Sequence, residues 1–166
     1  MSNQKLLVED WMTSPVQVVQ MSTPVLEAYN MMMERCVRRL PVVDGGQVVG
    51  IVTLGDLREA RPSPATSLSI YELNYLLSKL TVGEVMTHTP YTVTLDTPIQ
   101  VAARIMLDRK VGGLPVVDAQ WRPLGIITES DVFRMLTEKW DYFTGPHTER
   151  TPVGAGRNGG VKSAAY

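Results

Sequence analysis

Cysteine is nearly absent from this chain of 166 residues: Cys36 stands alone, which excludes an intramolecular disulfide or a multi-cysteine metal site. Its place in the apolar run of a predicted helix marks it as a small core residue rather than a redox thiol. Histidine is almost as scarce, with only His88 and His147, neither near a second ligand in sequence, which argues against zinc. No apolar run approaches the roughly 18 residues of a membrane span, and the opening MSNQKLLVED lacks the hydrophobic stretch of a secretion signal. A cytoplasmic protein without a membrane partner is the expectation. Charge of one sign is lacking as well: Lys and Arg number 16 against 17 Asp and Glu, the formal net charge is −1 and the pI about 6.1. No basic field concentrates nucleic acid, so nucleic acid is not an expected partner. There is no G-x-S-x-G nucleophile turn, no Walker A lysine loop and no metal-ligand cluster, so an enzyme is not expected.

What is present is present twice. Leu40-Pro41-Val42-Val43-Asp44 returns as Leu114-Pro115-Val116-Val117-Asp118, and Met12-Thr13 and Thr23-Pro24 return as Met86-Thr87 and Thr97-Pro98, all at one offset of 74 residues. Between Val8 to Asp44 and Val82 to Asp118 there are 15 identities in 37 ungapped positions. GIVTLGD at Gly50 to Asp56 returns as GIITESD at Gly125 to Asp131 after one inserted residue. Each repeat of about 60 residues is marginal as an independent fold, so the halves are expected to fold against each other. The expected layout is a first repeat over 1–60, a linker and connecting helix over 61–80, a second repeat over 81–143 and a disordered tail over 144–166.

Both repeats read as β-α-β-β-α. A short strand (Val16 to Val19; Tyr91 to Thr94) leads to Thr-Pro, taken as an N-cap followed by proline at the first helical position. Val25, Ala28, Met32 and Cys36 recur at helical spacing, as do Ile99, Ala102 and Met106. Two β-rich runs follow, joined in the first copy by Asp44-Gly45-Gly46, a tight hairpin, and in the second by a longer connection from Asp118 to Pro123. Thr53 and Thr128 then open a second helix, the latter running through Val132, Phe133, Leu136 and Trp140. In the linker, Ser69-x-x-Glu72 has capping-box spacing ahead of an apolar stripe at Leu73, Leu76, Leu77 and Leu80, a helix expected to pack on the second repeat.

At GIVTLGD and GIITESD a buried strand enters a helix start, with a hydroxyl at the turn and a carboxylate three residues on. Free N–H groups and the positive helix end favour an anion there, Thr53 or Thr128 adds a hydroxyl, and Asp56 or Asp131 offers two acceptor oxygens to a ribose diol. Ile51 and Ile126 are placed to flank a flat base. The same Thr-x-x-Asp is also a plain helix cap that needs no ligand, and duplication copies caps as faithfully as sites.

The order Met-Thr, Thr-Pro helix, LPVVD, then G-apolar-x-Thr-x-x-Asp, all twice, resembles a tandem pair of CBS domains, the Bateman module, over about Val8 to Leu136. The linker-helix sequence SIYELNYLLSKL also resembles stand-alone bacterial pairs of the acetoin-utilisation accessory type. The resemblance implies an α+β fold with pseudo-twofold symmetry, small sheets flanked by helices, and clefts that bind adenosine-containing ligands: AMP, ADP, ATP or S-adenosylmethionine, with Mg2+ admitted beside ATP. It also implies a homodimer and a separate protein target. Position by position, it puts the ribose-binding carboxylate on Asp56 and Asp131 and the phosphate-side hydroxyl on Thr53 and Thr128. Base-bordering residues fall on Thr13 and Val16 in one copy and Thr87 and Tyr91 in the other. Arg38 and Arg39 precede the first Leu-Pro, whereas Gly112 and Gly113 precede the second. On the family's cross-repeat geometry, both guanidinium groups reach the cleft of Thr128 and Asp131, and none from that position reaches the cleft of Thr53 and Asp56; otherwise they are solvated at a helix end. The implied function is a non-enzymatic sensor of adenine nucleotide. The rivals are an S-adenosylmethionine sensor and a dimeric scaffold whose Thr/Asp pairs are only caps.

Overall fold

The computed structural model describes residues 6–60 and 69–145. Helices α1 (Val8–Trp11), α2 (Val25–Glu34) and α3 (Leu54–Glu59) and strands β1 (Val19–Gln20), β2 (Arg39–Asp44) and β3 (Gln47–Thr53) come from the first repeat. The connecting helix is α4 (Ile70–Lys79). The second repeat supplies α5 (Val82–Val85), β4 (Thr87–His88), α6 (Ile99–Arg109), β5 (Gly113–Val117), β6 (Pro123–Thr128), α7 (Glu129–Glu138) and a short α8 (Trp140–Thr144). The fold is α+β, with small sheets flanked by helices.

The β2–β3 hairpin turns at Gly45 and Gly46, whose φ values of 55° and 80° are open to glycine and costly for other residues. Val42, Val43, Val48 and Val52 are buried along its strands. β1 lies parallel to β2, and β4, from the other repeat, closes the far edge against β3. The β5–β6 pair repeats this plan with its flanks reduced to single bridges: Val93 beside Val116 in parallel and Thr13 beside Ile126 in antiparallel. Val43, Val48 and Val117 join in a small cluster linking the two hairpins, and the Val48 N–H donates to the Trp121 carbonyl at 2.8 Å.

The leading turns are exchanged between the halves. Val8 and Trp11 of α1 are buried with Ile99, Ala102, Met106, Leu114 and Ile127, in the core of the second repeat. Val82 and Met86 are buried with Val25, Ala28, Met32, Leu40 and Leu57, in the core of the first. The backbone bonds match at the repeat offset: Val8 N–H donates to Thr97 O and Ile99 N–H to Leu6 O, while Val82 N–H donates to Thr23 O and Val25 N–H to Leu80 O. This explains two motif residues. A Cβ on Gly50 would meet Met86 Sδ, and one on Gly125 would lie 2.5 Å from Met12 Sδ, so each glycine clears a path for the methionine of the exchanged turn.

Several local expectations are corrected. Cys36 is exposed, one residue beyond the Arg35 C-cap and at φ 53°, because α2 ends before the apolar spacing reaches it. Pro24 and Pro98, not the preceding threonines, occupy the N-cap positions; the Thr23 and Thr97 hydroxyls instead accept from the Gln20 and Thr94 N–H groups and close the turns before the helices. The strand expected over Val16 to Val19 is only Val19–Gln20, and the one over Tyr91 to Thr94 is a single bridge at Val93. α4 packs on α2 of the first repeat rather than on the second, since Leu80 at its end bonds to Val25 and joins the first core. Leu76 is exposed, and the side chains of Leu73 and Leu77 lie outside the described residues. Phe133 and Trp140 are also exposed; Met135 fills the buried face of α7 instead. Of the expected tail, 146–166 lies outside the described residues, and 144–145 are the end of α8 and the glycine that caps it.

Candidate functional site

The end of β3 and the start of α3 position the first Thr/Asp pair. Thr53, in extended conformation, is the N-cap; its N–H and hydroxyl both donate to Asp56 Oδ2, at 2.7 and 2.8 Å, and its Oγ1 accepts from the Asp56 N–H at 3.2 Å. Capping is therefore real, and it occupies one carboxylate oxygen. Among the described residues nothing bonds to Oδ1 of Asp56, and Asp56 lines a cleft of about 230 Å³ between the repeats.

That cleft brings together most of the residues expected for one site. Ile51, Thr53 and Asp56 come from the first repeat, Thr87 and Tyr91 from the start of the second, and Thr87 is in register with Ile51. Tyr91 is half exposed, and the Arg109 guanidinium sits 5.0 Å from its ring centroid. Thr89, Pro90 and Lys110 also line the cleft; no motif marks Thr89 or Pro90, whereas Lys110 and Arg109 are the cations the sequence offers in place of the charge missing at Gly112-Gly113, with a direction that sequence does not give. Thr89 and Lys110 take φ values near 50°, a backbone turn with no signal in their side-chain types.

Arg39 is the chief correction. It lines the Thr53–Asp56 cleft, although the cross-repeat expectation gave that cleft no guanidinium. Arg39 is paired with Thr53 across the hairpin, which fixes its side of the sheet. From there its Nη1 donates to the Gly112 carbonyl. Burial lowers the Arg39 pKa; Glu129 opposes this, and the neighbouring Arg38 charge adds to it. The double glycine makes the room: a Cβ at Gly112 would lie 2.6 Å from Arg39 Nη2, and one at Gly113 2.7 Å from Nη1. Arg38 is exposed and contributes its carbonyl, which accepts from the Leu54 N–H.

The counterpart at Thr128 and Asp131 keeps the bonds to the carboxylate, without a hydrogen bond from the Asp131 N–H back to the Thr128 hydroxyl, and has a different environment. The Thr128 N–H and hydroxyl donate to Asp131 Oδ2 at 2.9 and 2.7 Å. The other oxygen accepts from Arg134 Nη2 at 3.1 Å, and the same nitrogen donates to the Trp11 carbonyl at 2.7 Å. Asp131 is only 6% exposed and Ile126 8%. Thr13 pairs with Ile126 as Thr87 does with Ile51, while Val16 is half-buried and absent from the first cleft's lining. Arg134 follows Asp131 by three residues, a spacing at which helix side chains meet, so its signal was in the sequence and went unread. Two wider hollows, of about 510 and 590 Å³ beside α2 and α6, contain neither Thr/Asp pair. Among the described residues no group of three or more His, Cys, Asp or Glu is placed to hold a metal ion, and no helix is long and apolar enough to cross a membrane.

The family model for the CBS domain matches twice, at residues 8–63 and 82–138. The chain belongs to the CBS-domain family. As a CBS pair it is similar to CBSX2 of Arabidopsis thaliana, solved in complex with AMP: 36% identity, TM-score 0.65, covering 80% of this chain and 97% of that one. The CBS pair of protein MJ0100, solved with 5-methylthioadenosine and S-adenosyl-L-methionine, is 29% identical with TM-score 0.68, covering 81% and 98%. AcuB of Vibrio cholerae, ascribed to acetoin utilization, is 26% identical with TM-score 0.68, covering 86% and 98%. The chain spans from 24% to 92% of the length of the first curated relatives it matches, so CBS pairs like this one occur both nearly alone and inside much larger proteins.

Proposed function

We propose that this CBS pair is a regulatory module that binds AMP, or a close adenine nucleotide, in the cleft of Thr53 and Asp56. One observation carries the reading: a carboxylate oxygen left open by its own cap shares a cleft with an exposed tyrosine ring and two cations, Arg39 and Lys110. The ribose diol donates to Asp56 Oδ1, the base lies between Tyr91 and Ile51, and the phosphate meets Arg39 and Lys110. Arg39 spends one donor on Gly112 and keeps others for a phosphate oxygen. At about 230 Å³ the hollow is small for a ligand site, which suits a monophosphate better than ATP with Mg2+. The CBSX2 complex supports AMP as the ligand class.

S-adenosylmethionine is the second reading, favoured by the MJ0100 complex. Against it, Arg39 and Lys110 repel a sulfonium as readily as they attract a phosphate. Binding transmits through a homodimer or a separate cytoplasmic protein target, and the nucleotide is not consumed. Isothermal titration of the purified chain with AMP, ATP, adenosine and S-adenosylmethionine tests this, with HPLC of the nucleotide after incubation. AMP is expected to bind most tightly and to be recovered intact. Binding of none of the four would leave the Thr/Asp pairs as caps in a scaffold, and turnover of ATP would make the protein an enzyme.

A further inference from the structure

We propose that Arg134 is a built-in occupant of the second Thr/Asp acceptor, holding the place a ribose would take at Asp131 and limiting the chain to one nucleotide. This rests on the reading of the Asp56 cleft above. In the second repeat both oxygens of Asp131 are committed: Oδ2 to the Thr128 N–H and hydroxyl, Oδ1 to Arg134. The guanidinium is tethered on its other side by the Trp11 carbonyl, and its carbon lies 6.0 Å from the Trp11 ring centroid. A diol must therefore break a charged pair and orphan a carbonyl before it reaches the carboxylate. In the first repeat the residue three after Asp56 is Glu59, which has no proton to donate when ionised, and Asp56 Oδ1 stays open. The two repeats thus share the acceptor and differ in whether the helix supplies its own donor.

The lock is local and removable. Arg134 is half exposed along its side chain, so truncation leaves no large cavity, and the cap through Oδ2 does not depend on it. Arg134 therefore acts as a specificity-determining residue: it decides which of two homologous acceptors is available.

The test is calorimetric stoichiometry with AMP on the full chain, using Arg134→Ala and Arg134→Gln, each checked for a cooperative melt. The parent is expected to bind one AMP per chain, lost in Asp56→Asn. Either Arg134 variant is expected to bind a second, and adding Asp131→Asn should remove it. In Asp56→Asn with Arg134→Ala, one AMP should bind through Asp131 alone. A parent that binds two, or Arg134 variants that fold and gain no site, overturns the proposal while leaving the Asp56 reading intact. A parent that binds none overturns the Asp56 reading; Asp131-dependent binding gained in Arg134→Ala would then still support the lock, and its absence would sink it.

Discussion

The acceptors Asp56 and Asp131 descend from the same few residues, a Gly-led strand, a capping threonine and a carboxylate, and part company through their neighbours. At Asp56 the hairpin brings Arg39 to the cleft from the same repeat, and the opposite repeat supplies Tyr91 and Lys110. At Asp131 the position equivalent to Arg39 is Gly113, Ile126 is buried, and Arg134 takes the second oxygen. A duplicated motif therefore specifies where an acceptor sits; whether it is open to a ligand is decided by single residues outside the motif.

The difference is broken most sharply at the acceptors. Asp56→Ala is expected to weaken AMP binding by on the order of a hundredfold, from losing charge-assisted hydrogen bonds of about 1.5–3 kcal/mol each. Asp131→Ala should leave that affinity within about twofold, as read by titration calorimetry.

A second contrast concerns the exchanged turns. A Cβ on Gly125 meets the Thr13 backbone carbonyl at 2.9 Å, whereas the atoms crowding Gly50 all belong to the flexible Met86 side chain. Gly125→Ala should therefore cost about 1–3 kcal/mol, at roughly 2–4 °C of Tm per kcal/mol, and Gly50→Ala less, by differential scanning calorimetry. Equal losses would mean that Met86 has no room to move.

Arg39 gives a third, smaller contrast. Arg39→Ala is expected to weaken AMP roughly tenfold and adenosine hardly at all, since in the proposed pose only the phosphate meets the guanidinium. Equal losses for both ligands would remove the phosphate contact and leave Arg39 as a strut between repeats.

The smallest effect is in the β5–β6 connection, which replaces the two-glycine turn of the first hairpin. Hydrogen bonding from the Arg122 N–H, helped by the Arg122 side chain and the Gln120 N–H, holds the partly buried Asp118 carboxyl below its ordinary pKa. A depressed carboxylate stabilises the fold above its unfolded-state pKa and stops doing so as pH falls through the folded value. The parent should lose slightly more Tm than Asp118→Asn on acidification through that window.

Much of this was readable in the sequence. The duplication shows as identities at one fixed offset, while the apolar triads Val25-Ala28-Met32 and Ile99-Ala102-Met106, the glycine hairpin and the Thr/Asp caps depend on neighbours within a few positions, and each appears in the structure. What was misread depends on partners far along the chain. Cys36 fitted the helical spacing, but α2 ends at Glu34 and Cys36 itself takes a left-handed conformation beyond the Arg35 cap, where it is exposed. The direction of Arg39 follows from its pairing with Thr53 and from the space left by a double glycine 73 residues away. α4 went to the first repeat because Leu80 completes that core, which no count of apolar positions in the helix reports.

The interlocked leading turns bear on how this molecule comes apart. Removing α1 uncovers the core around Leu114, and removing α5 uncovers the one around Leu40, so neither half can melt without dislodging a wedge from its sibling. Two stretches that look in sequence like separable beads thus behave as a single thermodynamic body, and an isolated copy of either would be missing part of its own interior.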